Sequence, residues 1–440
     1  MFLPQNIKKC VDALENAGFS AYAVGGCVRD ACLGLVPHDY DLCTSALPEE
    51  TEQVFSDYRL ILAGKKHGTV TVIMDAEPVE ITTFRTEGGY QDNRHPDWVK
   101  FVPNIEEDLS RRDFTVNAMA YSPTRGYADP FGGREDLKNG ILRAVGDPVQ
   151  RFQEDSLRIL RGIRFASRFK MKLDPKTEDA MHSQSHLMEN LARERVFEEL
   201  CKLLPGLTAE ELCRFAPVLS AVIPELQPLI GFDQRSPHHA YDLLTHVAHV
   251  VEAVPGDLAL RWAALLHDVG KIPTFTQDET GRGHFYGHAP KSAEMADTIL
   301  HRLKAPTALR EQVVLLIGKH MTRLEPEKKL LRRQLSRLGW ETVEQLLCLQ
   351  EADMASKGTG ESEERRIFGE IRAVLEEIRA ENACLTMKDL AVNGHDMMAL
   401  GLKGKAIGAA LNTLFEQVLE ENLPNEKEML LTFIKQNRQQ

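Results

Sequence analysis

The pattern of hydrophobic and polar positions changes character once along the chain. Up to about residue 150, apolar residues come in short β-branched runs, TVTVI at 69–73 and VEITTF at 79–84, punctuated by Gly, Pro and Asp. Such runs predict strands separated by turns. Short helices are expected over 10–16 and 27–33, each closed by a glycine, Gly18 and Gly34. From about 151 onward the spacing is helical, with Leu157, Leu160, Ile163 and Phe165 at three- and four-residue steps. Seams are expected at LLPGLT (203–208), DQRSPHH (233–239) and KGTGESEE (357–364). The expected architecture is an α/β domain over 1–150, followed by helical domains over 151–233, 234–360 and 361–440. The Glu/Arg-rich segment 361–380 reads as a solvated helix carrying opposite charges at helical spacing.

The richest chemistry lies in AYAVGGCVRDACLGLVPHDYDLCTSALP. A strand over 21–24 runs into Gly25 and Gly26 and then a helix. Paired glycines let the backbone approach a ligand, and helix N–H groups suit phosphate. Asp39 and Asp41 are two apart, so on a strand both carboxylates project to one side. Like charges held that close favour a cation between them, and carboxylates with phosphate oxygens and water form the octahedral shell of Mg²⁺. The competing reading is a solvated turn. Glu80, inside a strand where a buried charge is out of place, supplies a third acid. Three acids suit in-line phosphoryl transfer by two metals, one activating the attacking hydroxyl and one holding a triphosphate. RRDFTVNAMA at 111–120 adds Arg111, Asp113 and Asn117, either to hold phosphate and ribose or as a salt-bridged helix start.

In EDSLR, Asp155 and Arg158 are three apart and are expected on one helix face, where an intrahelical ion pair is the plainer reading. Cytosine and adenine both present an amino donor beside a ring-nitrogen acceptor. A carboxylate with a guanidinium therefore accepts C or A, and mismatches U or G at a cost of about 1–3 kcal/mol.

GGCVRDACLG, DYD, HGTVTV, EITTFR, YQDNRHPDWVKF, RRDFTVNAMAY, DPFGGREDLKNGILRAVGDP and RFQEDSLRILRGIRFA follow one another over about 18–205. In content and order this stretch resembles the class II tRNA nucleotidyltransferases of bacteria, the CCA-adding enzymes, which share a fold with bacterial poly(A) polymerases. The resemblance implies a nucleotidyltransferase head with Asp39, Asp41 and Glu80 as catalytic carboxylates and Mg²⁺ on Asp39 and Asp41. It implies nucleotide contacts from Gly25, Gly26, Arg29, Arg111, Asp113, Asn117, Asp155, Arg158, Arg161 and Arg164. Residues 86–99 resemble the loop with which such enzymes switch from C to A, and 390–431 their C-terminal tail. The turn over 401–405 offers N–H groups and lysines to tRNA phosphates, or is a plain helix-turn-helix surface.

Nine of the fifteen histidines fall between 238 and 320. His246, His267, Asp268, His288, His320 and Asp353 resemble the ligand set of the HD phosphohydrolases, in the variant that holds two metals. Imidazoles with carboxylates suit divalent transition metals. His238, His239, His249 and His284 are expected to be neighbours without a metal role.

Composition alters this picture in one respect. The formal charge is −12, from 53 basic and 65 acidic residues, which excludes a protein that coats nucleic acid with its whole surface. Yet residues 151–172 hold seven basic and two acidic side chains, a local excess where a tRNA acceptor end would lie. Eight scattered cysteines without a CxxC pair read as reduced thiols, and no apolar run approaches the ~20 residues of a membrane span. Lysines occupy the place of a signal peptide's apolar core, so a cytoplasmic location is expected. The expected function is CCA addition to the tRNA 3′ end from CTP and ATP, with an HD phosphohydrolase activity. The rivals are an A-adding polymerase on the same scaffold, or an HD phosphohydrolase whose head binds RNA.

Overall fold

The computed structural model describes residues 1–88, 98–236, 240–358 and 362–437. The chain divides into two units, Met1–Gln227 and Pro228–Gln440.

The first unit opens with α1 (Gln5–Asn16), β1 (Ala21–Val24), α2 (Gly26–Cys32), β2 (Asp41–Thr44), α3 (Pro48–Val54), β3 (Arg59–Ile61), β4 (Thr69–Met74) and β5 (Glu77–Thr83). It continues with β6 (Arg85–Gly88), β7 (Trp98–Phe101), α4 (Ile105–Ser110), β8 (Ala120–Ser122), β9 (Gly126–Ala128) and α5 (Gly133–Asn139). Seven strands form one sheet in the order β3-β4-β5-β2-β1-β8-β9. β2 runs parallel to β5 and antiparallel to β1. Along β4, buried Val70, Val72 and Met74 alternate with half-buried Thr69, Thr71 and Ile73, the period of two that covers one face of a sheet. The buried set packs on Ile7, Cys10, Val11 and Leu14 of α1. Because Ile7 belongs to that same apolar stripe, α1 begins five residues before the expected helix.

β10 (Ile141–Leu142), α6 (Pro148–Glu154), α7 (Leu157–Phe169), β11 (Lys172–Leu173), α8 (Pro175–Gln184), α9 (Arg193–Leu203) and α10 (Ala209–Leu219) complete this unit. α7 buries Leu157, Leu160, Ile163 and Phe165, the residues that its helical spacing selects. At Gly162 an added Cβ would lie 2.1 Å from Met181 Cε and 2.9 Å from the Phe114 ring, so α7 sits at a distance that only glycine allows.

The second unit contains α11 (Leu243–Ala253), α12 (Leu258–Leu266), α13 (Lys271–Thr274), β12 (Thr276–Gln277), β13 (Gly283–His284), α14 (His288–Arg302) and α15 (Thr307–Lys319). α16 (Lys328–Ala355), α17 (Ser362–Ala380), α18 (Gly394–Ala399), α19 (Lys405–Leu419) and α20 (Lys427–Asn437) follow. α17 is not simply a solvated helix. Ile371, Leu375 and Ile378 are buried, and Arg372 and Arg379 pair with Glu351 and Glu344 of α16. The apolar stripe within 361–380 is narrow beside its charges, which is why charge patterning alone reads it as solvated. The tail encloses its own core of Val392, Met397, Leu414, Val418, Leu430 and Ile434. Lys403 and Lys405 are exposed in the turn between α18 and α19. Among the described residues, no helix is long and apolar enough to cross a membrane.

Candidate active site and histidine cluster

β1 ends at Gly25, whose φ of 78° is readily adopted only by glycine, and a Cβ there would lie 2.9 Å from Arg112 Nη1. Beyond it opens a cleft of about 460 Å³. Of the expected residues, Gly25, Gly26, Arg29, Asp41, Arg111, Asp113, Asn117, Asp155, Arg158, Arg161 and Arg164 line it. Asp39 and Glu80 are not part of that lining.

β2 starts only at Asp41, so Asp39 lies before the strand, and strand alternation does not place it. The two aspartates nevertheless interact. Partial loss of hydration raises the Asp41 carboxyl above its ordinary range, Arg112 opposes this, and Asp39 adds repulsion. Glu80 is exposed rather than buried, because β5 turns Glu80 outward between buried Val79 and Ile81. Leu42 pairs with Ile81 in parallel register, so one residue back Glu80 stands beside Asp41 on the neighbouring strand. Acids brought together on the solvent-facing side of two central strands fit a divalent cation.

Asp113 anchors the opposite wall. Its Oδ1 accepts from the Phe114 amide at 2.8 Å and from Asn117 Nδ2 at 3.1 Å. Its Oδ2 accepts from Arg161 Nε at 2.8 Å and Nη2 at 2.6 Å. Burial alone would raise this carboxyl, but Arg161 and Asn117 hold it down at about 2. Arg29 donates from Nη1 to Asn117 Oδ1 at 2.6 Å and from Nε and Nη2 to Asp30, and it lies over the Phe165 and Phe169 rings. Arg111 is turned to buried Asp108, from Nε at 3.1 Å and Nη2 at 2.9 Å.

Asp155 is not on a helix face with Arg158. It occupies the extended link between α6 and α7, with φ −144° and ψ 102°. From there it accepts from the Leu157 amide at 3.1 Å and from Arg195 Nη2 at 2.9 Å. Arg158, in the first turn of α7, donates from Nη1 to Glu154 at 2.8 Å and from Nη2 to the Arg111 carbonyl at 2.9 Å. The pair is therefore held by separate partners, and both members face the cleft. The expected intrahelical ion pair fails because the chain leaves helical geometry at Asp155.

Arg164 pairs with Glu199 of α9. Arg112, the second arginine of RRDF, lines the cleft too, as do Phe165, Arg168 and Arg195, which were not expected there. Phe165 and Arg168 continue the three- and four-residue steps of Arg158, Arg161 and Arg164, a readable signal. Arg195 had none, since its partner Asp155 is 40 residues away.

In the second unit, His246 comes from α11, His267 and Asp268 follow α12, His288 opens α14, His320 ends α15 and Asp353 lies on α16. His246 Nε2 is 3.0 Å from Asp353 Oδ1 and 3.5 Å from Asp268 Oδ2, while His267 Nε2 is 3.2 Å from Asp268 Oδ2. His288 Nε2 is 3.5 Å from Asp268 Oδ1. The Nδ1 atoms lie near the backbone carbonyls of Ser356, Ala264, Phe285 and Ile317, at 3.1, 2.8, 2.9 and 2.7 Å respectively. This fixes the rings with Nε2 turned inward, as metal-bound histidines are fixed. Two sets of ligand atoms each lie within 4.8 Å, His246 with His267 and Asp268, and Asp268 with His288 and His320. Asp268 belongs to both.

Charge in this cluster is shared among the acids, Lys271 and the imidazoles, with Lys271 Nζ 2.7 Å from Asp268 Oδ2. Burial lowers His246, but Asp268 and Asp353 outweigh it and hold the imidazole up at about 9. Burial and neighbouring His267 push His320 down to about 4, and burial also lowers His288. The two acids draw positive charge from Lys271 and from a proton on His246, while neutral His320 and His288 keep lone pairs for a metal. His249 packs on Tyr241 and His284 bonds Asp278, both outside the cluster. His238, His239 and residues 89–97 of the expected loop lie outside the described residues.

Asp41 in a cleft lined by guanidinium groups, with Asp39 and Glu80 close to it in the chain and the sheet, provides the two things that moving a nucleotidyl group requires, cation ligands and triphosphate contacts. The chain is a nucleotidyltransferase. Residues 21–143 match the model of the poly A polymerase head domain, 170–214 that of a probable RNA and SrmB-binding site of polymerase A, and 285–434 that of a putative tRNA nucleotidyltransferase domain 2. The CCA-adding enzyme of Streptococcus suis is 34% identical over 98% of this chain and 97% of its own. That of Enterococcus faecalis is 34% identical over 99% and 97%. The crystal structure of the Bacillus stearothermophilus CCA-adding enzyme in complex with CTP covers 100% of this chain and 99% of its own, with a TM-score of 0.70 and 28% identity. The chain belongs to the CCA-adding enzyme family, within the class II group that includes poly(A) polymerases.

Proposed function

We propose that the first unit adds C, C and A to the 3′ end of tRNA, using CTP and ATP. The carrying observation is the juxtaposition in one cleft of Asp41, the arginines of α7, and the separately held Asp155 and Arg158. Asp39, Asp41 and Glu80 would hold Mg²⁺, which supplies activation of the attacking hydroxyl and neutralisation of the triphosphate. The arginines bind and orient the triphosphate, with Arg161 and Arg164 already aimed by Asp113 and Glu199. Asp155 accepts from the base amino group and Arg158 donates to the ring nitrogen, a pattern that C and A share. The relatives' name, and the CTP held by one of them, support this reading. Purified protein with a tRNA ending at its discriminator base, given labelled CTP, ATP or both, provides the test. Absence of CMP incorporation would leave an A-adding polymerase.

A second activity is proposed for the other unit. The histidine cluster with its shared Asp268 is a site for two divalent transition metals and hydrolyses phosphoesters. Its support is the inward set of Nε2 atoms around an acid pair. Metal-dependent hydrolysis of p-nitrophenyl esters, lost in Asp268→Ala, tests it.

A further inference from the structure

The histidine cluster opens in two directions. One chamber, of about 250 Å³, is lined by Asp268, Lys271, His284, Tyr286 and His288. The other, of about 320 Å³, is lined by Arg323, Met354, Ile367, Phe368 and Ile371. They share His320, Met321, Asp353 and Lys357, so the His320 and Asp353 side of the cluster stands at their junction, with Asp268 and His288 on the wall of the first chamber. Each is near the lower end of ligand-pocket sizes, roughly 300 Å³, and suits one small group.

Both chambers present an aromatic ring. Tyr286 is 77% exposed and stacks on His284 with centroids 5.3 Å apart and ring planes within 6°. His284 is held by Asp278 through Nε2 at 2.8 Å, and Asp278 also accepts from Thr280 and the Arg282 amide. The Tyr286 ring is thus a braced platform beside the cluster. On the other side Phe368 is half-buried, with half-buried Ile367 and Ile371 buried. Lys271 Nζ reaches Asp268 at 2.7 Å, which puts positive charge near the junction.

We infer that this site takes a phosphodiester joining two nucleosides, with the phosphate at the junction, one base on Tyr286 and the other against Phe368. This rests on the phosphohydrolase reading and gives it a substrate class. A phosphomonoester has one organic arm and would fill one chamber, leaving the other's ring and aliphatic wall without use. A diester has two. Hydrolysis then joins a water oxygen to phosphorus and breaks one P–O ester bond. The departing oxygen takes the proton, giving an alcohol and a monoester that retains a single arm.

The test is equilibrium dialysis of the manganese-loaded full chain against cytidylyl-adenosine with a phosphorothioate linkage, and against CMP. Binding that persists in Asp268→Ala is assigned to the first unit and subtracted. The diester should bind at least tenfold more tightly than CMP. Tyr286→Ala and Phe368→Leu should each weaken it about tenfold, in the range of one base–ring stack. The leucine keeps apolar volume, so folding is retained. Equal binding of CMP, or a diester affinity unchanged in Phe368→Leu, would overturn the two-chamber assignment. Diester binding with no metal-dependent hydrolysis of the oxygen diester would uphold the assignment and remove the hydrolase reading alone.

Discussion

Arg161 grips the Asp113 carboxylate with both Nε and Nη2, at 2.8 and 2.6 Å, across 48 residues of sequence. This contact joins α7, which carries four of the cleft's eight arginines, to the segment that follows α4. Removing either partner leaves a charge with its hydrogen bonds unmade. Arg161→Gln is expected to cost about 2 kcal/mol, the scale of hydrogen bonds to a charged group. Adding Asp113→Asn should recover part of that loss, and a denaturant double-mutant cycle measures the coupling. Strict additivity of the two changes would show that they do not interact.

The same contact sets an acid limit. Asp113 is held at about 2 against an ordinary value of 3.8. A carboxyl depressed in the folded state stabilises fully above its unfolded value, and the contribution fades as pH falls through the folded one. Stability should therefore decline between about pH 4 and 2, with a shallower decline in Asp113→Asn. Urea midpoints across that range are the measurement; parallel curves for the two proteins would contradict the assignment.

Asp41→Asn should leave the fold intact, since the side chain faces solvent at the start of β2, and should abolish nucleotide addition. Loss of cation-assisted charge stabilisation, several kcal/mol, corresponds to roughly a thousandfold or more in rate. Asp39→Asn and Glu80→Gln should follow. Metal bound at the histidine cluster should be unchanged, because its ligands come from the other unit. A fall in that metal content would argue against separate sites.

Metal analysis of the purified protein distinguishes shared from separate ligands. His246→Ala and His320→Ala should each lower the content by about one equivalent, whereas Asp268→Ala should remove both ions, as the one residue common to the two sets. Loss of both ions in His320→Ala would show a single mixed site.

Arg158→Lys keeps the charge but loses the planar fork. Discrimination of CTP and ATP against UTP and GTP should fall by roughly 10- to 100-fold, the equivalent of about 1–3 kcal/mol. Steady-state kcat/KM for the four triphosphates reads this directly.

Much of this molecule is legible in its residues, for reasons that differ from place to place. The strands at 69–74 and 77–83 follow from alternation, and α7 from its apolar steps. The histidine cluster was readable because neither His267 nor Asp268 benefits an apolar helix face. The relation of Asp155 to Arg158 was not. Spacing of three implies a shared face only where the backbone is helical, and Asp155 is not helical. Its real partner, Arg195, comes from α9, and no local pattern reports a contact made by tertiary packing. Glu80 is on the expected strand, but a single charge in an apolar run does not show which face it takes, and the structure turns it outward.

Gly162 lies next to Arg161 and one helical turn from Arg158, and the missing side chain lets α7 press against Phe114 and Met181. A methyl group there would have to move the Met181 tip, the Phe114 ring or α7 itself, and with α7 the arginine row that it carries. The proposed triphosphate contacts and the proposed base contact of Arg158 ride on that one helix, so a single packing position sets both. An alanine at 162 is therefore expected to weaken the hold on the nucleotide as a whole, not on its base alone.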